Sequence, residues 1–338
     1  MKKSLLYIGN ALSSSGNTIT VIESLSKKLV GEGFVVTIAS SRKNKITRLL
    51  DMAFTVFKNR KKVDCALVDT YSTQNFWYAV VVATLCRWYQ IPYIPILHGG
   101  NLPHRLQKNP GQSKKLFSGA KTNVAPSRYL FDAFQKAGFS NITYIPNAIE
   151  LHNYPFEHRN SVLPRLLWVR SFAQIYHPLL AIKVFERLKE LYPVAELCMV
   201  GPEKDGALKE CKMYAEAKKL PVVFTGKLDK AEWIKRALHY DIFINTTNFD
   251  NTPVSVIEAM ALGLPVVSTR VGGIPFLLDH KKDALLVPPN KVEDFVEAIV
   301  FLCNHASEVQ NLCKNARRKA EQFNWKNVKQ LWFEVLEA

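Results

Sequence analysis

Asp250-Asn251-Thr252-Pro253-Val254-Ser255-Val256-Ile257-Glu258-Ala259-Met260-Ala261-Leu262-Gly263-Leu264-Pro265 runs into Val266-Val267-Ser268-Thr269. The first part reads as a loop. Thr252 suits a helix N-cap, and Pro253 suits the first helical position, where a missing N–H costs nothing. Val254 to Leu262 reads as a short apolar helix, Gly263 as the residue just past its end, and Pro265 as the block to continuation. A buried strand follows. The N–H groups of Val254 and Ser255 point out of the helix start with the positive end of its dipole behind them, an anion site suited to phosphate. Ser255 and Glu258 share a helix face, and Asp250 precedes them over the same mouth. The element offers donors for a diphosphate and two carboxylates for sugar hydroxyls. Spacing alone fits an ordinary capped helix with solvated acids equally well.

Strands and helices alternate on either side of this stretch. Upstream, strands are expected at Leu5–Ile8, Val35–Ala39, Cys65–Val68, Tyr93–Leu97, Asn123–Ala125 and Asn141–Ile145. Helices are expected at Thr18–Glu32, through the basic segment after Arg42, and at Ser72–Tyr89, Gln112–Ser118 and Arg128–Ala137. Glu150 to Pro164 is polar, proline-bearing and aperiodic, and reads as an interdomain linker. The alternation restarts with strands at Leu166–Val169, Glu196–Val200, Val222–Thr225, Ile242–Asn245 and Leu285–Val287, and ends in a helix over Lys326–Leu336. The pattern is that of an α/β chain with parallel, doubly wound sheets covered on both faces. A length of 338 residues fits two domains of about 150 each. Ligands of such sheets bind beyond the carboxyl ends of the strands, so a cleft between the two domains is the expected site.

Composition narrows the class. The six cysteines form no C-x-x-C pair, which suggests neither a zinc site nor a disulfide framework and fits a reducing, cytoplasmic compartment. Lys2 and Lys3 before Ser4-Leu5-Leu6-Tyr7-Ile8 imitate a signal peptide, but the apolar run breaks at Gly9-Asn10, and a first strand is the better reading. The most apolar stretch, Phe76 to Cys86, is too short to span a bilayer. The net charge of +16 suggests an acidic partner. Arg42, Lys43, Lys45, Arg48, Lys58, Arg60, Lys61 and Lys62 face Asp51 alone, and Ile46, Leu49, Leu50, Ala53, Phe54 and Phe57 repeat among them at helical spacing. This is a basic amphipathic helix, suited to the inner face of an anionic membrane or to packing on its own sheet with a solvated basic face. A basic nucleic-acid-binding protein is the rival from another class. The cluster lacks the interleaved aromatics of single-strand binders and shows no known DNA- or RNA-binding motif, so no nucleic-acid partner is expected.

An acidic residue, seven residues and then Glu, within Pro-x-Ser-x-x-Glu-Ala-Met-Ala-x-Gly-x-Pro-Val-Val, resembles the signature of retaining glycosyltransferase family 4, the group 1 glycosyl transferases of GT-B fold. The usual first acid is Glu; here it is Asp250. The resemblance implies two Rossmann-like domains facing across a cleft: an acceptor-binding domain over 1–155, a nucleotide-sugar-binding domain over 156–322, and a C-terminal helix over 323–338 crossing back to the first. It implies transfer of a sugar from a nucleotide-sugar, UDP-linked by expectation, to a hydroxyl of a saccharide or lipid-linked saccharide. Configuration would be retained, with neither metal nor cofactor. A nucleotide-sugar epimerase or a catalytically degenerate member shares the architecture.

The family's other landmarks follow in order. Trp168-Val169-Arg170 is similar to its Val-Gly-Arg, whose Arg meets the donor diphosphate; a planar guanidinium suits that task. The Lys that normally follows is missing from Ile175-Tyr176-His177-Pro178, which leaves Tyr176 or His177 to substitute. The resemblance assigns Glu258 to the ribose, Asp250 to the donor sugar, and Thr252, Pro253, Val254, Ser255 and Gly226 to donor binding. His98, at a strand end before Gly99 and Gly100, falls near the reacting centre, and a turn histidine holding loop backbone is its plain alternative. Gly99, Gly100, His104 and Arg105 form an expected acceptor wall in a long loop. Gly9 to Asn17 is neither G-x-G-x-x-G nor a P-loop; the family carries a glycine-rich loop there, which places Gly16 by the donor and Asn17 by the acceptor. Phe276 stands where the family has Glu.

Overall fold

The computed structural model describes residues 3–11 and 20–337. Each strand is short and apolar, and each is followed by a helix that returns the chain to the same edge, so neighbouring strands pair parallel. In the first half these elements are β1 (Ser4–Ile8), α1 (Val21–Gly31), β2 (Val35–Ala39), α2 (Lys45–Asn59), β3 (Cys65–Tyr71), α3 (Phe76–Trp88) and β4 (Tyr93–His98). They continue with α4 (Leu102–Lys108), α5 (Pro110–Ser118), β5 (Asn123–Ala125), α6 (Arg128–Lys136) and β6 (Ile142–Tyr144). The six strands lie in the order β2-β1-β3-β4-β5-β6. The order reverses between β1 and β3, so their carboxyl ends leave a crevice there.

The second half repeats the plan with β7 (Arg165–Val169), α7 (Pro178–Leu191), β8 (Glu196–Val200), α8 (Ala207–Ala217), β9 (Val222–Gly226), α9 (Lys230–Ala237) and β10 (Ile242–Asn245). It ends with α10 (Val254–Ala261), β11 (Val266–Thr269), α11 (Ile274–Leu277), β12 (Leu285–Val287), α12 (Val292–Asn304), α13 (Ala306–Glu321) and α14 (Trp325–Glu337). The order is β12-β11-β10-β7-β8-β9, reversing between β7 and β10. Period-two alternation splits these strands between two cores. Leu166, Trp168, Ile242, Ile244 and Val267 face one with α7, α8 and α12. Leu167, Phe243 and Val266 face the other with α10 and α13.

The chain divides into two compact units, Met1–Pro146 with Lys329–Ala338, and Asn147–Val328. The last part of α14 thus belongs to the first unit, where Phe333 lies 5.8 Å from Phe34 and Lys329 Nζ donates to Glu32 at 3.0 Å.

Three sequence expectations are corrected. The aperiodic stretch Glu150 to Pro164 is no free linker: it straps the second unit. Tyr154 is buried, and Arg159 donates to the carbonyls of Gly263 at 2.9 Å and Tyr240 at 3.2 Å. A strap held by single anchors shows no periodicity. The expected long loop after Gly100 contains α4, a seven-residue helix with too little apolar repeat to be seen. The cap of α10 is Pro253, in extended conformation, and not Thr252. The Pro253 carbonyl accepts from Val256 and Ile257, which is the cap's backbone role, and no side chain is needed for it.

Phe243, fully buried between β10 and α10, tests the second core. Phe243→Ala is expected to cost about 3–5 kcal/mol in urea unfolding, the usual loss for an aromatic deleted from a packed interior.

Candidate active site

The site of the second unit is built at the reversal between β7 and β10. β7 delivers Arg170 one residue past its end, and the loop after β10 delivers Asp250. Arg170 Nη2 pairs with Asp250 Oδ2, both side chains largely buried. The Arg170 guanidinium lies 4.3 Å over the Tyr176 ring. Burial pulls the Arg170 pKa down, while Tyr176 and Glu258 push it back up. Among the described residues Arg170 Nε, though buried, has no hydrogen-bond partner.

Tyr176 is held in place by the β10 loop. Thr246 Oγ1 donates to the carbonyls of Tyr176 and His177 at 3.1 and 2.9 Å, and Thr247 Oγ1 to that of Ile175 at 3.2 Å. His177 takes a left-handed conformation, φ 46°, and Pro178 opens α7 behind it. Asp250 is fixed from its backbone, whose carbonyl accepts from Gly273 N at 2.8 Å. A Cβ on Gly273 would lie 2.0 Å from the Asn251 carbonyl oxygen, so only glycine lets the two loops approach.

α10 follows. Val254 and Ser255 are partly exposed, and their N–H groups have no acceptor among the described residues, as the first turn of a helix requires. Glu258, one turn on, is buried. Its Oε1 accepts from Tyr154 Oη at 2.7 Å and pairs with Lys230 Nζ at the start of α9. Burial, then the Glu258 charge, raises the Tyr154 pKa. Gly226 ends β9 at φ 71°, and its carbonyl accepts from Gly201 N at 2.9 Å.

The structure thus brings Arg170, Tyr176, Asp250, Thr252, Pro253, Val254, Ser255 and Glu258 into one neighbourhood of the second unit. Two partners escaped sequence reading. Tyr154 lay in the presumed linker, and Lys230 opened an ordinary-looking helix behind an Asp229 cap. Neither carries a local motif.

In the first unit His98 ends β4 beside the β1/β3 reversal. Its Nε2 lies 2.8 Å from Asp69 Oδ1, which also accepts from Tyr7 Oη at 3.0 Å, and Tyr71 stacks on the imidazole at 5.1 Å. Burial, then Asp69, raises the pKa of Tyr7 and of Tyr71. A Cβ on Gly9 would sit 2.3 Å from Asp69 Oδ2, so the loop after β1 closes directly over this carboxylate. Gly99 turns the chain at φ 84°. His104 is exposed on α4. Arg105 donates through Nε to the Ser72 carbonyl at 2.9 Å and through Nη1 to Asn109 at 2.8 Å, tying α4 to the loop after β3. Gly16 and Asn17 lie outside the described residues. Among those described, no group of three or more His, Cys, Asp or Glu side chains could hold a metal ion.

Residues 1–153 match the profile of Glycosyltransferase Family 4, and residues 164–305 that of Glycosyl transferases group 1. The chain belongs to this glycosyltransferase family. Anabaena HepE, solved in complex with UDP and glucose, superposes with a TM-score of 0.77 at 17% identity, covering 99% of each chain. The fold is GT-B, two six-stranded parallel sheets with alternating helices. The sulfoquinovosyl transferase SQD2 of Arabidopsis thaliana is 29% identical over 151 residues, 43% of this chain. The amylovoran biosynthesis glycosyltransferase AmsK of Erwinia amylovora is 33% identical over 114 residues, 31% of this chain. Each of these two matches spans 28% of the relative's own length.

Tyr154→Phe removes one of the two donors to buried Glu258 Oε1. It is expected to cost about 1–3 kcal/mol in urea unfolding, the range for a buried acceptor that loses its donor. Glu258→Gln in the same background should make the loss smaller, because a neutral amide needs the hydroxyl less.

Proposed function

We propose that this GT-B chain is a retaining glycosyltransferase. It moves a sugar from a UDP-sugar to a hydroxyl of a saccharide or lipid-linked saccharide of the cell surface, and its second unit binds the donor. The observation that carries the proposal is Arg170. It is a largely buried cation at the sheet reversal, one of its donors lacks an acceptor, and the open first turn of α10 lies close by. That pairing suits a diphosphate, whose charge grows as the sugar departs, and stabilising it is the largest catalytic contribution expected. The reading gives this work to Arg170 and α10 rather than to a metal. Lys230, at Glu258, brings in a further cation that the 175–178 segment lacks. Glu258 is assigned to the ribose, Asp250 and His98 to the sugar, and Gly99, Gly100, His104 and Arg105 to the acceptor.

HepE supports the donor class, since it was solved with UDP and glucose. The names of SQD2 and AmsK support a glycolipid or polysaccharide product. Among the described residues no helix is long and apolar enough to cross a membrane. The net charge of +16 supports peripheral contact with an anionic membrane on its cytoplasmic face.

Thermal unfolding with UDP, GDP, dTDP and CMP at matched concentration tests the donor site. UDP at about a hundredfold over its Kd is expected to stabilise by about 2.7 kcal/mol, several degrees in Tm. Arg170→Ala and Glu258→Ala should each abolish the shift. No shift with any nucleotide, or a shift that both variants keep, would refute the proposal.

A further inference from the structure

The first unit carries a surface that the transfer chemistry does not use. α2 has two apolar faces. Met52 and Val56 are buried in the unit's core. Buried Arg48 lies on their side, donating to the carbonyls of Arg42 and Lys43 at 2.7 and 2.9 Å. Ile46, Leu50, Phe54 and Phe57 are instead 71, 63, 61 and 45% exposed. At 3.6 residues per turn these four fall within an arc of about 80°, roughly opposite Met52 and Val56. Packing on the sheet explains the inner face and leaves the outer one unaccounted for.

The outer stripe continues onto the end of α3. The Phe57 ring lies 6.1 Å from Tyr89, Tyr89 stacks on Trp88 at 5.8 Å, and Trp88 is 76% exposed. The flanking charge is nearly all of one sign. Lys43, Lys45, Lys58, Lys61 and Lys62 are exposed, and Asp51 is the segment's one acid before Asp64. The Arg60 guanidinium lies 4.0 Å over the Phe57 ring, so its charge borders the apolar stripe directly.

We infer that α2 and the carboxyl end of α3 form a docking surface for an anionic phospholipid bilayer. Ile46, Leu50, Phe54 and Phe57 enter the boundary between headgroups and acyl chains, and Trp88 and Tyr89 sit at headgroup depth. Lys58, Arg60, Lys61 and Lys62 meet lipid phosphates. Charge complementarity selects this occupant: a predominantly basic rim around an apolar stripe matches a plane of phosphates over hydrocarbon. A second copy of the chain would bring a like-charged rim against it. The inference rests on the membrane contact proposed above and gives it a location.

Vesicle flotation with the full chain tests it. The protein is expected to bind phosphatidylcholine vesicles that contain roughly a quarter phosphatidylglycerol, and not phosphatidylcholine alone. The exposed-site variant L50S/F54S should weaken partitioning about tenfold or more through lost apolar insertion. K61A/K62A should also weaken it about tenfold or more, an effect that raised salt reproduces. Stabilisation by UDP should be unchanged in L50S/F54S, which separates this surface from the donor site and shows that the variant folds. Absence of wild-type binding at low salt would overturn the inference. So would L50S/F54S binding as tightly as wild type, or a dimer that L50S/F54S dissociates. Vesicle binding without any nucleotide-induced shift would sink the transferase reading alone.

Discussion

The reversal of strand order between β7 and β10 is the constraint on which the second unit's site depends. Parallel pairing sends every strand's carboxyl end to one side, and adjacent strands whose crossovers leave in opposite directions hold their loops apart. Arg170 and Asp250 stand one on each lip of that gap, and their ion pair spans it. Much else nearby serves to keep it there. The threonines after β10 tether the Ile175–His177 turn that carries the Tyr176 ring beneath the guanidinium. Gly273 lets its own loop bond to the Asp250 carbonyl.

The charges of this site are unequally held. Arg170 and Asp250 are both shielded, so their attraction is little screened, and removal of either partner would strand the other at a cost of about 3–5 kcal/mol. Lys230 is half exposed against a buried Glu258. That contact lies nearer the surface-pair range of about 0–1 kcal/mol, and the Tyr154 hydroxyl is the firmer partner. The site therefore has a rigid element, Arg170 with Asp250, and an exchangeable one, Lys230 on Glu258. In the proposed reading an incoming nucleotide can take the Glu258 carboxylate or the Lys230 ammonium at small cost, while Arg170 keeps its place.

How much of this was legible followed from where the information sits. The β10–α10–β11 stretch was readable because its signals are local: an apolar helix with glycine and proline at its end. Arg170 and Asp250 were readable as members of a motif, though their mutual contact was not, since it depends on how two loops eighty residues apart meet. Tyr154 and Lys230 had no motif to betray them; each matters only because the fold sets it against Glu258. Asp69 was invisible for a similar reason. The expected strand ended at Val68, one residue short of it, and only strand order places it beside His98. α4 was hidden because a seven-residue helix is too short to display a period.

The two units share a doubly wound parallel plan, though their strand orders differ, and each places its own chemistry at its reversal. In the second, the lips carry a guanidinium and the open start of an eight-residue helix, and the field there favours an anion. In the first, they carry Gly9 and a buried carboxylate. Asp69 holds His98 and Tyr7 through one oxygen, while its other oxygen has no partner among the described residues. A carboxylate shielded from water repels phosphate and accepts from hydroxyls and imidazole N–H groups. The two reversals therefore differ in the charge they offer a ligand. In the proposed reading the anionic half of a nucleotide-sugar goes to Arg170, and hydroxyl-bearing groups go to Asp69 and His98. The aligned strands supply the position twice, and the side chains at each reversal decide what is bound there.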